Sequence, residues 1–183
     1  GEIMSPEQYL ARLEAGEEIT EIEICDQNRT DAELAPLLRF LNNPLNSAAA
    51  QRLTHLNLRG NNLSSFAIPT TLVALQELDL TDNKLSSIAI SATLVALQRL
   101  LLAGNKLSSL DLPTTMAALV WLSIGGNQLS TIAKIMLIQF LSNNPALGIE
   151  ADFNIVQNVG PDRITNDTLN EHFQALLKNM KNY

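Results

Sequence analysis

The chain has 183 residues, of which 46% are hydrophobic, 19 are acidic and 12 are basic, giving a formal net charge of −7. The acidic balance argues against general affinity for nucleic acid or anionic membranes, and no apolar run reaches the roughly 18–20 residues of a membrane-spanning helix. The lone cysteine, Cys25, cannot form a disulfide within the chain, which favours a reducing compartment.

The first segment predicts a short helix that covers one end of the fold. Ser5 suits the N-cap, Pro6 suits the first helical position, and Gln8 completes a capping box. Gly16 ends the helix. Its predicted apolar face consists of Tyr9, Leu10 and Leu13. Residues 1–18 are therefore expected to form a helical N-terminal cap.

Residues 19–52 form a divergent first repeat. Isoleucines at 19, 22 and 24 have the spacing of the leucines in the segments that follow, and Gln27 stands where those segments have Asn. Thr30 and Glu33 form a second capping box, which predicts a helix on the return side of this turn, ended at Asn42-Asn43-Pro44. The apolar positions of this helix are Leu34, Leu37, Leu38 and Leu41.

Residues 53–131 repeat one pattern every 22 residues. The copies follow the form L-x-x-L-x-L-x-x-N-x-L and begin at Leu53, Leu75, Leu97 and Leu119, and the last copy has Ile124 in place of the third leucine. The alternation predicts a short strand in each copy, with leucines inward and the intervening residues outward. The chain leaves each strand at an Asn, whose amide is expected to satisfy backbone groups from turn to turn. These residues are Asn61, Asn83, Asn105 and Asn127.

The return half of each copy predicts a second column of core residues. A Leu-Ser-Ser or Leu-Ser-Thr run follows each Asn, and an apolar residue comes next. Pro69 and Pro113 predict extended rather than helical return segments. The expected second column consists of Phe66, Ile88, Leu110 and Ile132.

The repeated pattern resembles the 22-residue class of leucine-rich repeats. The resemblance implies an α/β fold, namely a right-handed solenoid (horseshoe) with short parallel strands on its concave face and helical caps at both ends. We expect one domain over residues 1–183. It ends with a last helical repeat at 132–160, which holds an apolar helix at 133–141 and a sixth strand, and with a C-terminal capping helix at 161–183.

The outward strand positions are the candidate binding surface. Trp121, the only tryptophan, is expected beside Arg99 and diagonally from Leu101, an arrangement typical of an interface hot spot. The alternatives are that Trp121 packs on a neighbouring side chain or under a terminal loop and that Arg99 pairs with Glu77. Acidic side chains on this face favour a basic partner or form an ordinary solvated surface. The predicted partner-binding residues are His55, Asn57, Arg59, Glu77, Asp79, Arg99, Leu101, Trp121, Ser123 and Glu150.

The sequence predicts no active site. Cys25 and His55 fall at opposite ends of their outward triplets, about 13 Å apart along the strands, which is too far for a thiol–imidazole pair. No Ser-His-Asp set, metal-ligand cluster or phosphate loop is apparent. We therefore expect a non-enzyme without cofactor or metal. An enzyme is the third hypothesis and would require Cys25 or the acidic pairs to be essential.

The Leu-Ser-Ser runs, the helical ends and the disulfide-free caps resemble the small leucine-rich-repeat effectors of Legionella. This resemblance implies a protein that a bacterial translocation system secretes into the host cytosol. It would be a monomer when free, and it would bind and inhibit or regulate a partner protein, such as another effector. The alternative is an adaptor that binds a host protein.

Overall fold

The computed structural model describes residues 3–144 and 146–151, and the predicted closing helix in 161–183 lies outside them. Within these residues the helices are α1 (Pro6–Glu14), α2 (Asp31–Asn42), α3 (Ser47–Ala50) and α4 (Thr131–Asn143), with a 3-10 turn at Pro44–Asn46. The strands are β1 (Glu21–Glu23), β2 (His55–Asn57), β3 (Glu77–Asp79), β4 (Arg99–Leu101), β5 (Trp121–Ser123) and β6 (Gly148–Glu150). None of the described helices is both long and apolar enough to cross a membrane.

The strands form one parallel sheet in the order β1-β2-β3-β4-β5-β6, as the repeats predict. Equivalent residues pair across every boundary, so Leu56 stands beside Leu78 and Leu78 beside Leu100. The central leucines are at most 1% exposed, while their strand neighbours remain partly open to solvent. The 22-residue period therefore fixes both the register and the face to which each side chain points.

Buried asparagines join each turn to the one before it. The side-chain amide of Asn105 donates to the carbonyls of Leu80 and Leu102 at 3.0 Å, and its Oδ1 accepts from the N–H of Leu85 at 3.0 Å. Asn83 makes the same three bonds one turn earlier. A buried bend that would leave backbone groups unpaired is thus satisfied at every turn.

The N-terminal cap closes the first turn with the capping box expected at Ser5. Tyr9 is buried, and its hydroxyl accepts a hydrogen bond from the N–H of Glu23 at 3.0 Å, which ties α1 to the edge strand β1. Gln27, in place of the usual Asn, donates from Nε2 to the carbonyl of Met4 at 2.9 Å. The longer amide side chain thus reaches the cap.

The return segments between β2 and β5 contain no helix, as Pro69 and Pro113 predict. The second apolar column is present at Phe66, Ile88 and Leu110, but its predicted extension to Ile132 is wrong. Ile132 is 60% exposed because Ser130 caps α4 and the chain turns into a helix there. The buried face of α4 consists of Ala133, Ile135, Leu137, Ile138 and Leu141.

The asparagines that join successive turns form the asparagine ladder. The residue before each of them, and before Gln27, has a positive φ. Asp82 (φ +56°) and Gly104 (φ +70°) are one such pair in adjacent turns. A Cβ at Gly104 would collide with a carboxylate oxygen of Asp82. Gly104 is therefore favoured by its own backbone conformation, and the Asp82 side chain that lies over it leaves no room for a Cβ.

We predict that Gly104→Ala lowers the free energy of unfolding by more than Gly16→Ala. Gly16 has a comparable φ of +83° but no atom within 4 Å of its added Cβ, so its substitution reports about 1–2 kcal/mol of backbone strain alone. Urea denaturation measures both variants. In an Asp82→Gly background the Gly104→Ala penalty should fall towards that of Gly16→Ala. An unchanged excess would show that Asp82 does not restrict this site.

We predict that Leu100→Ala costs about 2–5 kcal/mol of stability, because Leu100 is fully buried between turns. The exposed Ile132 provides the contrast, and Ile132→Ala should cost less than about 0.5 kcal/mol. Chemical denaturation measures both. Equal midpoints for the two variants would contradict the register described here.

Candidate protein-binding face

We call the outward side of the six strands the outward sheet face. Nine of the ten predicted partner-binding residues lie on these strands, and Arg59 lies two residues past the end of β2, at the next outward position. Arg59 and Arg99 are exposed, and the other eight are partly exposed. Its described positions on the strands are Glu21, Glu23, His55, Asn57, Glu77, Asp79, Arg99, Leu101, Trp121, Ser123, Gly148 and Glu150. The next outward position lies two residues past the end of the strand. In β1 to β5 it is occupied by Cys25, Arg59, Thr81, Ala103 and Gly125.

The first residues of β1 to β4 form a row in which acidic and basic side-chain types alternate. His55 lies between two carboxylates, with Nδ1 3.7 Å from Glu21 and Nε2 3.9 Å from Glu77. Arg99 Nε lies 3.5 Å from the other oxygen of Glu77. The alternative predicted for Arg99, a pair with Glu77, is therefore present. Because Arg99 is exposed, this pair contributes little to stability and leaves the guanidinium accessible.

Trp121 continues this row. It pairs in register with Arg99 on one side and with Gly148 on the other, and it is partly exposed. Leu101, on the neighbouring strand, pairs with Ser123. The register therefore brings a cation, an aromatic ring and an aliphatic side chain together, as the sequence predicts.

Three polar side chains of the face are held in place by nearby donors. Asp79 Oδ1 accepts from the N–H of Thr81 at 2.9 Å, and Asn57 makes the same contact one strand earlier. Glu150 accepts from Ser123 Oγ at 2.7 Å and from the N–H of Gly125 at 3.2 Å. These groups therefore lose little conformational freedom if a partner contacts them.

Cys25 lies in an acidic environment. Burial raises the pKa of its thiol above the usual value, and the negative charges of Glu23, Asp26 and Asp79 raise it further. Its Sγ lies 3.9 Å from the carbonyl oxygen of Asn57, while His55 engages carboxylates instead. The raised pKa leaves a smaller thiolate fraction, which makes this thiol a weaker nucleophile than an ordinary cysteine.

A comparison of the sequence with models of protein families agrees with the 22-residue pattern and with the fold that it forms. A family model described as leucine-rich repeats (two copies) matches residues 51–92. The chain has the leucine-rich-repeat fold. No curated protein sequence matches it significantly. Domains with this fold typically bind other proteins and typically have no catalytic activity.

Two solved structures with leucine-rich repeats are similar to this one. A leucine-rich-repeat protein of Leptospira interrogans is 29% identical over 61% of this chain and 28% of its own, with a TM-score of 0.48. An internalin of Listeria monocytogenes is 16% identical over 78% of this chain and 44% of its own, with a TM-score of 0.47. This chain covers less than half the length of either protein.

Two exposed carboxylates of this leucine-rich-repeat domain were missed by the sequence reasoning. Asp26 and Asp82 stand just past the outward triplets, at the positive-φ position before Gln27 and Asn83. The signal for them is the alternation of Asp with Gly at that position of the repeat. Both add negative charge at the edge of the outward sheet face. Groups of three or more His, Cys, Asp or Glu side chains able to hold a metal do not occur within the described ranges.

We predict that Cys25 is alkylated by iodoacetamide more slowly than free cysteine at pH 8. The raised pKa leaves a smaller thiolate fraction at any pH below it. Glu23→Gln removes a neighbouring negative charge, so the midpoint of the rate–pH curve should move to lower pH. Asp111→Asn, on a return segment, is the matched control and should leave the curve unchanged. An unchanged midpoint in Glu23→Gln would exclude the electrostatic effect.

Proposed function

We propose that this protein is a non-catalytic module that binds another protein through its outward sheet face. The observation that carries the proposal is the cluster of Trp121, Leu101 and Arg99, which lies on a face otherwise lined by polar side chains. Trp and Arg dominate the binding energy of protein interfaces, and an apolar centre with a charged rim is the usual arrangement. The scaffold holds these residues on strands, so little ordering is needed on binding.

The charge of this face supports a partner with a basic region. Glu23, Asp26 and Asp82 form no ion pair within 4 Å with any described residue. Carboxylates without a local cation attract positive side chains and speed their association at low ionic strength. The partner's basic residues would therefore meet β1 to β3, and its apolar residues would meet β4 and β5.

We propose further that the protein acts as a bacterial effector that inhibits or regulates its partner in the host cytosol. Two features support this. The Leu-Ser-Ser runs and disulfide-free caps resemble small Legionella effectors, and the lone cysteine suits a reducing compartment. Another effector is the partner class we favour. An adaptor for a host protein is the alternative outcome of the experiment below.

The test is a capture experiment with Trp121→Ala/Arg99→Glu. Tagged wild-type protein is incubated with host-cell lysate and, separately, with a panel of purified co-secreted bacterial proteins. We expect a partner that binds wild type and is lost by the double variant, because losing one interface Trp or Arg costs about 2 kcal/mol or more. A purified effector whose activity falls on binding supports inhibition. A host protein with unchanged activity supports the adaptor.

The matched control is Ile132→Ala/Arg39→Glu. It changes an exposed apolar residue and an exposed arginine of α4 and α2, away from the sheet. Circular dichroism should show that all three proteins are folded. Retention of the partner by Trp121→Ala/Arg99→Glu, or equal loss by the control, would contradict binding through the outward sheet face.

A further inference from the structure

One pair of serines on the return side of the turns already holds a carboxylate. The N–H of Ser64 donates to Asp31 Oδ1 at 3.1 Å, and its Oγ donates to Oδ2 at 2.7 Å. The N–H of Ser65 donates to both oxygens, at 3.3 and 3.2 Å. Asp31 comes from the preceding turn. Consecutive backbone N–H groups with a hydroxyl therefore form a carboxylate cradle here.

The same segment recurs in the next two turns. Each ladder asparagine accepts a hydrogen bond from one backbone N–H of the preceding turn. The donors are Arg29, Leu63, Leu85 and Leu107, so these four residues occupy equivalent positions. The residues that come next are Ser64-Ser65, Ser86-Ser87 and Ser108-Ser109 in the regular turns. The positions equivalent to Asp31 are Ser65 and Ser87, whose shorter hydroxyls make no hydrogen bond to the serines of the turn that follows.

The donors of the two later pairs have no acceptor within the described part of the chain. Ser86, Ser87, Ser108 and Ser109 are all exposed, and no backbone N–H or hydroxyl among them donates to a described residue. A lysine precedes each pair by two residues. Lys84 and Lys106 are both exposed and form no ion pair with any described residue. Each segment thus combines the donors of the cradle with a cation that the first turn lacks.

We propose that Lys84–Ser87 and Lys106–Ser109 each bind an acidic side chain of a protein partner. We call these two segments the donor strip. The carboxylate is the ligand class because Asp31 occupies the equivalent cradle in the same molecule. Neighbouring turns lie about 5 Å apart, so the two segments can take two carboxylates of one acidic stretch. The donor strip lies outside the outward sheet face, and it is independent of what that face binds.

The test is a titration of the intact 183-residue chain with sodium acetate, followed by amide nitrogen–proton NMR. Sodium chloride at the same ionic strength is the reference. We expect saturable shifts of the N–H signals of Ser86, Ser87, Ser108 and Ser109, and none at Ser64 and Ser65. In Asp31→Ala the last two should respond as well. Lys84→Gln/Lys106→Gln should raise the acetate concentration at half-saturation about two- to fivefold.

The contrasting outcomes overturn the proposal. If Ser64 and Ser65 respond in Asp31→Ala while the four later serines stay unchanged in wild type, the cradle is particular to the first turn. If chloride produces the same shifts, or if no amide responds saturably, the segments do not bind carboxylates. Should Asp31→Ala fail to fold, the wild-type titration decides alone.

Discussion

Buried asparagine amides set the spacing between turns, and the remaining structure depends on that spacing. Each amide joins two carbonyls and one N–H of adjacent turns, so no residue in the ladder can be replaced without leaving buried backbone groups unpaired. The ladder holds the strands in register. The register stacks the leucines into a continuous core, and it also fixes which outward side chains become neighbours. The register that places Trp121 beside Arg99 therefore follows from the same hydrogen bonds that stabilise the core.

The periodic part of the fold was predictable, and the wrongly placed core residue, Ile132, lies where the period ends. Four copies with one spacing fix the positions of the strands, of the core leucines and of the outward side chains, because each position of the repeat has one role in the turn. Ile132 was misplaced because Leu-Ser-Thr at 129–131 follows three Leu-Ser-Ser runs and looks like a fourth return segment, whereas Ser130 caps a helix there. Asp26 and Asp82 were missed because an Asp at a positive φ is read as a turn residue, although its side chain also adds charge to the face.

The outward sheet face and the donor strip have opposite chemistry. The outward sheet face carries carboxylates around β1 to β3 and the Trp121 cluster at β4 and β5, which suits a partner with basic and apolar residues. The donor strip offers backbone N–H groups, hydroxyls and two lysines, which suits acidic residues. Both surfaces arise from the repeat, because residues at the same position of successive turns form a row along the solenoid. A partner with both charges could therefore be held in one orientation by rows on two sides of the same turns.

Trp121 lies in the proposed binding surface, and because it is the only tryptophan in the sequence its surroundings can be measured directly. Protein labelled with 5-fluorotryptophan gives a single fluorine NMR signal, which reports Trp121 alone. The signal is recorded with and without the captured partner. We predict that this fluorine signal shifts or broadens when the partner binds. A signal that stays unchanged while binding is complete by an independent assay would contradict binding through the outward sheet face and would place the site elsewhere on the protein.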